Sequence, residues 1–294
     1  MSGLASRLLW GIPILLGAVA LMGADLLGWS DGYGLWILCL VFGTGATYEA
    51  LSMLDHPQGF RRERRLLWVL AFYVVTFYGV VLTTSEGQLG FNSSVAWPGE
   101  MANPATTLFG AVLLLGALVS TALSGGQKNL LWARVHPPLT VLWMSIPMVC
   151  TVVLAEVDPV GIHLVLCTVL MVKGSDTGAY FIGRRFGKRP LHPVSPRKTI
   201  EGLIAGVLTS AVIGYLYAVQ LDDPTFSAGM ALVLGVLVAV VGQISDLQES
   251  AMKRCAGRKD SGASIPGLGG ALDMLDSLVL VMPLVLWWRV VLAA

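Results

Sequence analysis

The sequence predicts an all-α polytopic membrane protein of about nine transmembrane helices, with its N-terminus in the cytoplasm. Three observations predict this: the composition, a series of apolar runs long enough to cross a bilayer, and basic residues confined to alternate connections. Hydrophobic residues make up 55% of the 294 and charged residues only 13%, against about 25% charged in an ordinary soluble domain. That composition excludes a cytosolic globule. The formal charge of +1 gives no reason to expect a nucleic-acid partner, because in a membrane chain the placement of charge matters more than its sum.

A spanning helix needs about 20 mostly apolar residues, since hydrocarbon offers no partners to unpaired backbone groups. The first such run, 8–29, follows Arg7; it reads as a span rather than a cleaved leader because so many more follow. The others are 34–54, 66–83, 105–123, 137–155, 161–182, 201–220, 227–246 and 274–293. Lys and Arg should collect on the cytoplasmic side. Arg61, Arg62, Arg64 and Arg65 follow the second run, and Lys128 and Arg134 the fourth. Arg184, Arg185, Lys188, Arg189, Arg197 and Lys198 follow the sixth, and Lys253, Arg254, Arg258 and Lys259 the eighth. The intervening 84–104, 156–160 and 221–226 contain none.

The chain divides in character. Residues 1–160 form an apolar scaffold in which nothing suggests catalysis, and 161–294 form a catalytic region with two polar cytoplasmic loops, 183–200 and 247–272. No internal repeat supports an inverted-repeat transporter. Cys39, Cys150, Cys167 and Cys255 lack ligand spacing, and the four histidines are scattered. Neither GxSxG nor HExxH occurs, and the second loop is not a Walker loop.

Chemistry is expected where acids stand at the ends of spans, because a carboxylate there is costly to bury. Asp176, Asp246, Glu249, Asp273 and Asp276 stand out. The last four form two pairs at i, i+3 spacing, which puts both acids of a pair on one helix face. Their repulsion is offset either by a hard cation or by nearby Lys253, Arg254 or Lys259 acting as plain ion-pair partners. Magnesium suits such oxygen ligands, with Asp246 and Asp273 the preferred pair. In the first loop, Ser195, Arg197, Lys198 and Thr199 precede a helix starting near Glu201 and read as an anion site; retention on the cytoplasmic side is the plainer role of those cations. In the second, Lys259, Asp260 and Ser261 precede Gly267, Gly269 and Gly270, which would let the backbone approach a ligand or simply turn. Lys173, three residues before Asp176, is expected to pair with it.

These residues, taken together, resemble the phosphatidate cytidylyltransferase family. The match lies in Ser250, Lys253 and Arg254; Lys259 to Gly262; Pro266 and Gly267; Gly269 and Gly270; and Asp273, Asp276 and Ser277. Upstream, SDTGAYFIGRRFGKRPLHPVSPRKTIEGLIAG is similar to a second family segment, so close matching covers approximately 175–206 and 242–278. The pattern departs at Leu268, Met274 and Ser245, where the family has His, Arg and Gly, so no role of that His or Arg carries over. The resemblance implies transfer of CMP from CTP to phosphatidate, giving CDP-diacylglycerol and pyrophosphate at the cytoplasmic face of the cell membrane. By the same resemblance, Asp246 and Asp273 hold Mg2+ with Asp276 and Glu249 in support, and a second cation such as K+ and a homodimer are implied. Lys198, Lys259 and Arg254 would contact phosphate, Tyr180 and Ser195 to Thr199 would lie at the lipid or nucleotide phosphate, and Asp176, Lys253, Asp260 and Ser261 would complete the substrate set. The competing readings are a CTP-dependent transferase for another lipid phosphate or polyprenol, a cation-coupled transporter, and a catalytically silent relative.

Overall fold

The structure, a computed structural model, describes residues 3–29, 33–53, 66–76, 130–157, 160–262 and 269–292. The described residues form helices α1 (Gly3–Leu26), α2 (Tyr33–Met53), α3 (Leu66–Thr76), α4 (Leu130–Val157) and α5 (Gly161–Phe186). A hairpin follows, of β1 (Pro190–His192) and β2 (Ser195–Thr199). The chain continues through α6 (Ile200–Leu221), α7 (Ala228–Cys255), α8 (Ala271–Leu275) and α9 (Leu278–Leu292). Among the described residues, six segments are long and apolar enough to cross a membrane, the last running through α8 and α9. The chain is therefore a polytopic, helical membrane protein. The expected run 105–123 and the basic cluster 61–65 lie outside the described residues, as do the connection 84–104, expected to be external, Lys128 and residues 263–268.

Three expected boundaries move. Helix α7 continues past 246 to Cys255, because Asp246, Glu249, Ser250 and Lys253 fall at helical spacing and face inward on one side. The last expected span is interrupted between α8 and α9, where the Asp276 carboxylate accepts the Ser277 N–H at 2.5 Å and its hydroxyl at 3.0 Å. The basic loop 183–200 is ordered as the last turn of α5 and an antiparallel hairpin pairing Pro190 with Thr199 and His192 with Ser195. Two interactions tie that hairpin to α6. The Thr199 hydroxyl caps the helix by accepting the Gly202 N–H at 3.1 Å, and Glu201 accepts the N–H groups of Lys188 at 3.0 Å and Arg189 at 3.3 Å.

Helices α5, α6 and α7 pack through small residues. In lipid, apolar side chains gain little by leaving one apolar medium for another, so close backbone approach and hydrogen bonds carry helix association. A Cβ at Gly206 would lie 2.9 Å from the Ser175 carbonyl oxygen, and one at Gly214 would lie 2.6 Å from that of Ala231. At Gly235 it would meet the Ser210 carbonyl at 2.7 Å, beside the hydrogen bond from Ser210 Oγ to the Gly235 oxygen at 2.8 Å. The outward face of this trio carries Ile204, Leu208, Val212, Leu216 and Val233, all exposed, as a lipid-facing surface requires.

The buried centre joins both halves of the chain. Trp143, Met144 and Leu154 of α4 pack with Leu164 and Met171 of α5, Val281 and Leu286 of α9, and Ala46 and Ala50 of α2. At the far end from the hairpin, Arg289 donates to the Thr225 carbonyl at 3.1 Å. In that same connection, the hydroxyl and backbone N–H of Thr225 hold the Asp223 carboxyl below the usual carboxylate range.

Candidate active site

Helix α7, strand β2, helix α5 and the turn between α8 and α9 bring the polar residues together at the hairpin end of the bundle. Helix α7 supplies Gln243, Asp246, Glu249, Ser250 and Lys253. Strand β2 leans over this face so that the Lys198 ammonium is ion-paired with Asp246 and donates to Gln243 Oε1 at 2.9 Å. Gln243 in turn donates to Asp176 of α5 at 3.3 Å. The amide thus links a carboxylate on one helix to a cation on the hairpin.

Beside this chain, oxygen atoms of Asp246, Glu249 and Asp276 lie within 4.8 Å of one another. Glu249 is fully buried; Lys253 Nζ stands 2.5 Å from its Oε2 as an ion pair, and its Oε1 receives no hydrogen bond. Buried carboxylates at such separations repel unless a cation lies among them. A set made only of carboxylate oxygens, one of them unsatisfied, fits a hard divalent ion such as magnesium and does not resemble a zinc set.

Asp273, expected from sequence as a ligand with Asp246, is not one of that group of three. Its carboxylate accepts from Lys253 Nζ at 2.7 Å, the Ser261 hydroxyl at 2.9 Å, the Ser261 N–H at 3.1 Å and the Gly270 N–H at 2.8 Å. It stands outside the group of three, joined to it through Lys253, which also contacts Glu249. Gly269 is needed here: its φ of +95° is left-handed, and a Cβ would come 2.6 Å from the Asp273 carboxylate.

The sequence reading missed Glu49. This acid of α2 is buried (3% exposed) beneath the segment around Ser261 and accepts the Ser261 hydroxyl at 2.9 Å and the Leu272 N–H at 3.0 Å. Gly270 makes room, since a Cβ there would sit 2.0 Å from Glu49 Oε2. The signal was present in TYEALSM: an acid near the end of a span, the same criterion that singled out the C-terminal acids.

A cleft of about 580 Å³ opens in front of the Lys198 and Asp246 pair. Asp176, Tyr180, Arg184, Arg197, Thr199 and Gln243 contribute to its wall. Tyr180 is exposed and accepts a hydrogen bond from Arg184 at 2.9 Å. Ser195 pairs with His192 at the tip of the hairpin. Arg254 turns away to the Arg258 carbonyl at 3.0 Å, and Lys259 and Asp260 are exposed beyond it. Lys173 does not pair with Asp176; its ammonium donates to the Met274 carbonyl at 3.1 Å, because α8 brings that acceptor within reach.

The bundle and its site define a membrane protein with an acid- and cation-lined polar site at one end of its helices. The sequence model described as the Cytidylyltransferase family matches residues 7–292, so the chain belongs to that family. Curated relatives named phosphatidate cytidylyltransferase include one from Staphylococcus saprophyticus, 40% identical over 132 residues, 45% of this chain and 50% of that protein. One from Synechocystis sp. is 42% identical over 134 residues, 46% of this chain and 45% of that protein. Another, from Staphylococcus aureus strain COL, is 43% identical over 127 residues, 42% of this chain and 48% of that protein. The chain spans about half the length of the curated relatives it matches.

Proposed function

We propose that this protein transfers CMP from CTP to phosphatidate, yielding CDP-diacylglycerol and pyrophosphate. The observation that carries the reading is the polar cleft in which Arg184, Arg197 and Lys198 face carboxylates from α5 and α7. Cations there suit a triphosphate, and the acids behind them suit the divalent ion that accompanies it. In the reaction, an oxygen of the lipid phosphate attacks the α-phosphorus and the bond from that phosphorus to the bridging oxygen of the β-phosphate breaks. The electron pair leaves with pyrophosphate. No general base is needed, because a phosphate monoester is already ionised near neutrality, and this agrees with the lack of histidine among the described residues lining the cleft.

Asp246, Glu249 and Asp276 would hold Mg2+, which supplies Lewis-acid stabilisation of charge on the departing pyrophosphate. Asp273, expected from sequence as a ligand alongside Asp246, reaches the same ion only by leaving Lys253 and Ser261. Its role in this reading is to fix the turn that presents Asp276. Lys198 and Arg197 bind the triphosphate, and Gln243 keeps Asp176 and Lys198 in register. Lys259 and Arg254 would serve as outer phosphate contacts and Asp260 would belong to the substrate set beside them, with Tyr180 and Thr199 at the wall of the cleft and Ser195 at the tip of the hairpin.

The site is placed on the cytoplasmic side of a plasma membrane, since the hairpin and the turn after α7 are rich in Lys and Arg whereas 222–227 contains none. Nine spans, a homodimer and a second monovalent cation belong to the same proposal. The test is incubation of purified protein with CTP, Mg2+ and phosphatidate, scoring pyrophosphate and CDP-diacylglycerol. Product formed with a polyprenyl phosphate and none with phosphatidate would overturn the assignment of the acceptor.

A further inference from the structure

A second cavity, of about 180 Å³, lies further back along the same face of α5 as the polar cleft, lined by Val165, Val169 and Lys173 where the cleft is lined by Asp176, Tyr180 and Gly183. Its wall is almost wholly apolar, and includes Met22 of α1, Leu38 and Cys39 of α2, Met148 of α4 and Val169 of α5. For scale, an engineered apolar protein cavity of about 150 Å³ stays dry and takes up benzene, so this one accommodates a length of hydrocarbon rather than water. On α5 the lining runs from Val165 to Lys173, an axial length of about 12 Å at the helical rise.

Only one end of this cavity carries charge among its described lining residues. Lys173 and Met274 stand there, linked by the hydrogen bond of 3.1 Å. Met274 is adjacent to Asp273 and two residues from Asp276. Asp176, one turn from Lys173 along α5, lines the polar cleft. The acids therefore stand between a polar space and an apolar one, and a cation marks the mouth of the apolar one.

An anionic headgroup attached to an alkyl chain matches that arrangement: the chain lies along the helices and the phosphate meets the ammonium. Resting on the function proposed above, we propose that this cavity receives one acyl chain of the lipid substrate, with its phosphate held at Lys173 beside Asp276. The phosphate oxygen is thereby presented to the α-phosphorus along the same face of α5, from the apolar end of the site, with the nucleotide at the polar end. Lys173 exchanges its bond to the Met274 carbonyl for the lipid phosphate.

Narrowing the cavity with Val169→Phe is expected to raise the ratio of KM for dioleoyl phosphatidate to KM for dihexanoyl phosphatidate about tenfold. An unchanged ratio in a variant that still turns over would overturn the proposal. Because the variant could misfold, the unaltered protein is also photolabelled with a phosphatidate carrying a diazirine near the end of one acyl chain. Adducts on Met22, Leu38 or Met148 are expected, competed by unlabelled phosphatidate. Adducts confined to the outer residues Ile204 and Leu208, or cavity adducts that excess phosphatidate does not displace, as for a resident structural lipid, would sink it. Labelling needs no turnover. Failure of pyrophosphate release therefore counts against the reaction, and failure of labelling against the cavity.

Discussion

Lys198 and Lys253 each hold a carboxylate that the proposed chemistry needs for an ion, so each ammonium balances charge before substrate arrives. Lys198→Met should raise KM for CTP by about tenfold or more, since a charge-assisted contact to phosphate is lost, and Lys198→Arg should recover part of it; initial-rate kinetics check both. Glu249→Gln and Asp276→Asn should each reduce pyrophosphate release by about 100-fold and shift the magnesium titration to higher concentration. Asp273→Asn should also reduce turnover, but through the turn it holds, so its apparent magnesium affinity should change less than that of Asp276→Asn. An equal shift in both would restore Asp273 to the ion. Lys253→Met removes the cation beside fully buried Glu249 and one of the donors to Asp273, and should cost about 3 kcal/mol, measurable as a lower thermal unfolding temperature in detergent.

At the scale of elements, the close packing of α5 on α6 positions the cleft between Asp176 and the hairpin. Gly206→Leu should push the helices apart at Ser175 and abolish folding or activity, whereas Leu208→Ala on the lipid-facing side should be tolerated; retention on size exclusion and turnover test the pair. Thr199→Ala removes the cap of α6 and should cost about 1 kcal/mol. Much of this level was legible in the sequence, because apolar runs and basic connections follow directly from what lipid excludes. Two features were not. Hydropathy ends a span at its first charges, so the last two turns of α7 were read as loop although Asp246, Glu249, Ser250 and Lys253 keep helical spacing. The hairpin escaped because Pro190, Pro193 and Pro196 suggest an irregular segment, and its register is set by contacts with Glu201 that no local pattern announces.

Over the whole molecule, the site residues and the direction of the chain agree on one polar end. Cys255, exposed at the end of α7, should react with a membrane-impermeant maleimide only in inverted vesicles, and a cysteine introduced by Ser227→Cys only in right-side-out cells. The opposite pattern would reverse the proposed orientation. The C-terminal acids were legible in the sequence because each stands at the end of an apolar span, beside a polar and basic connection. Glu49 was not, since its partners Ser261 and Leu272 lie more than 200 residues away and only the fold unites them. That long-distance bond has a consequence for dissecting the chain. Expressed alone, a fragment starting at 161 should insert yet stay silent, and co-production of 1–160 as a separate polypeptide should revive it, unless that partner carries Glu49→Ala.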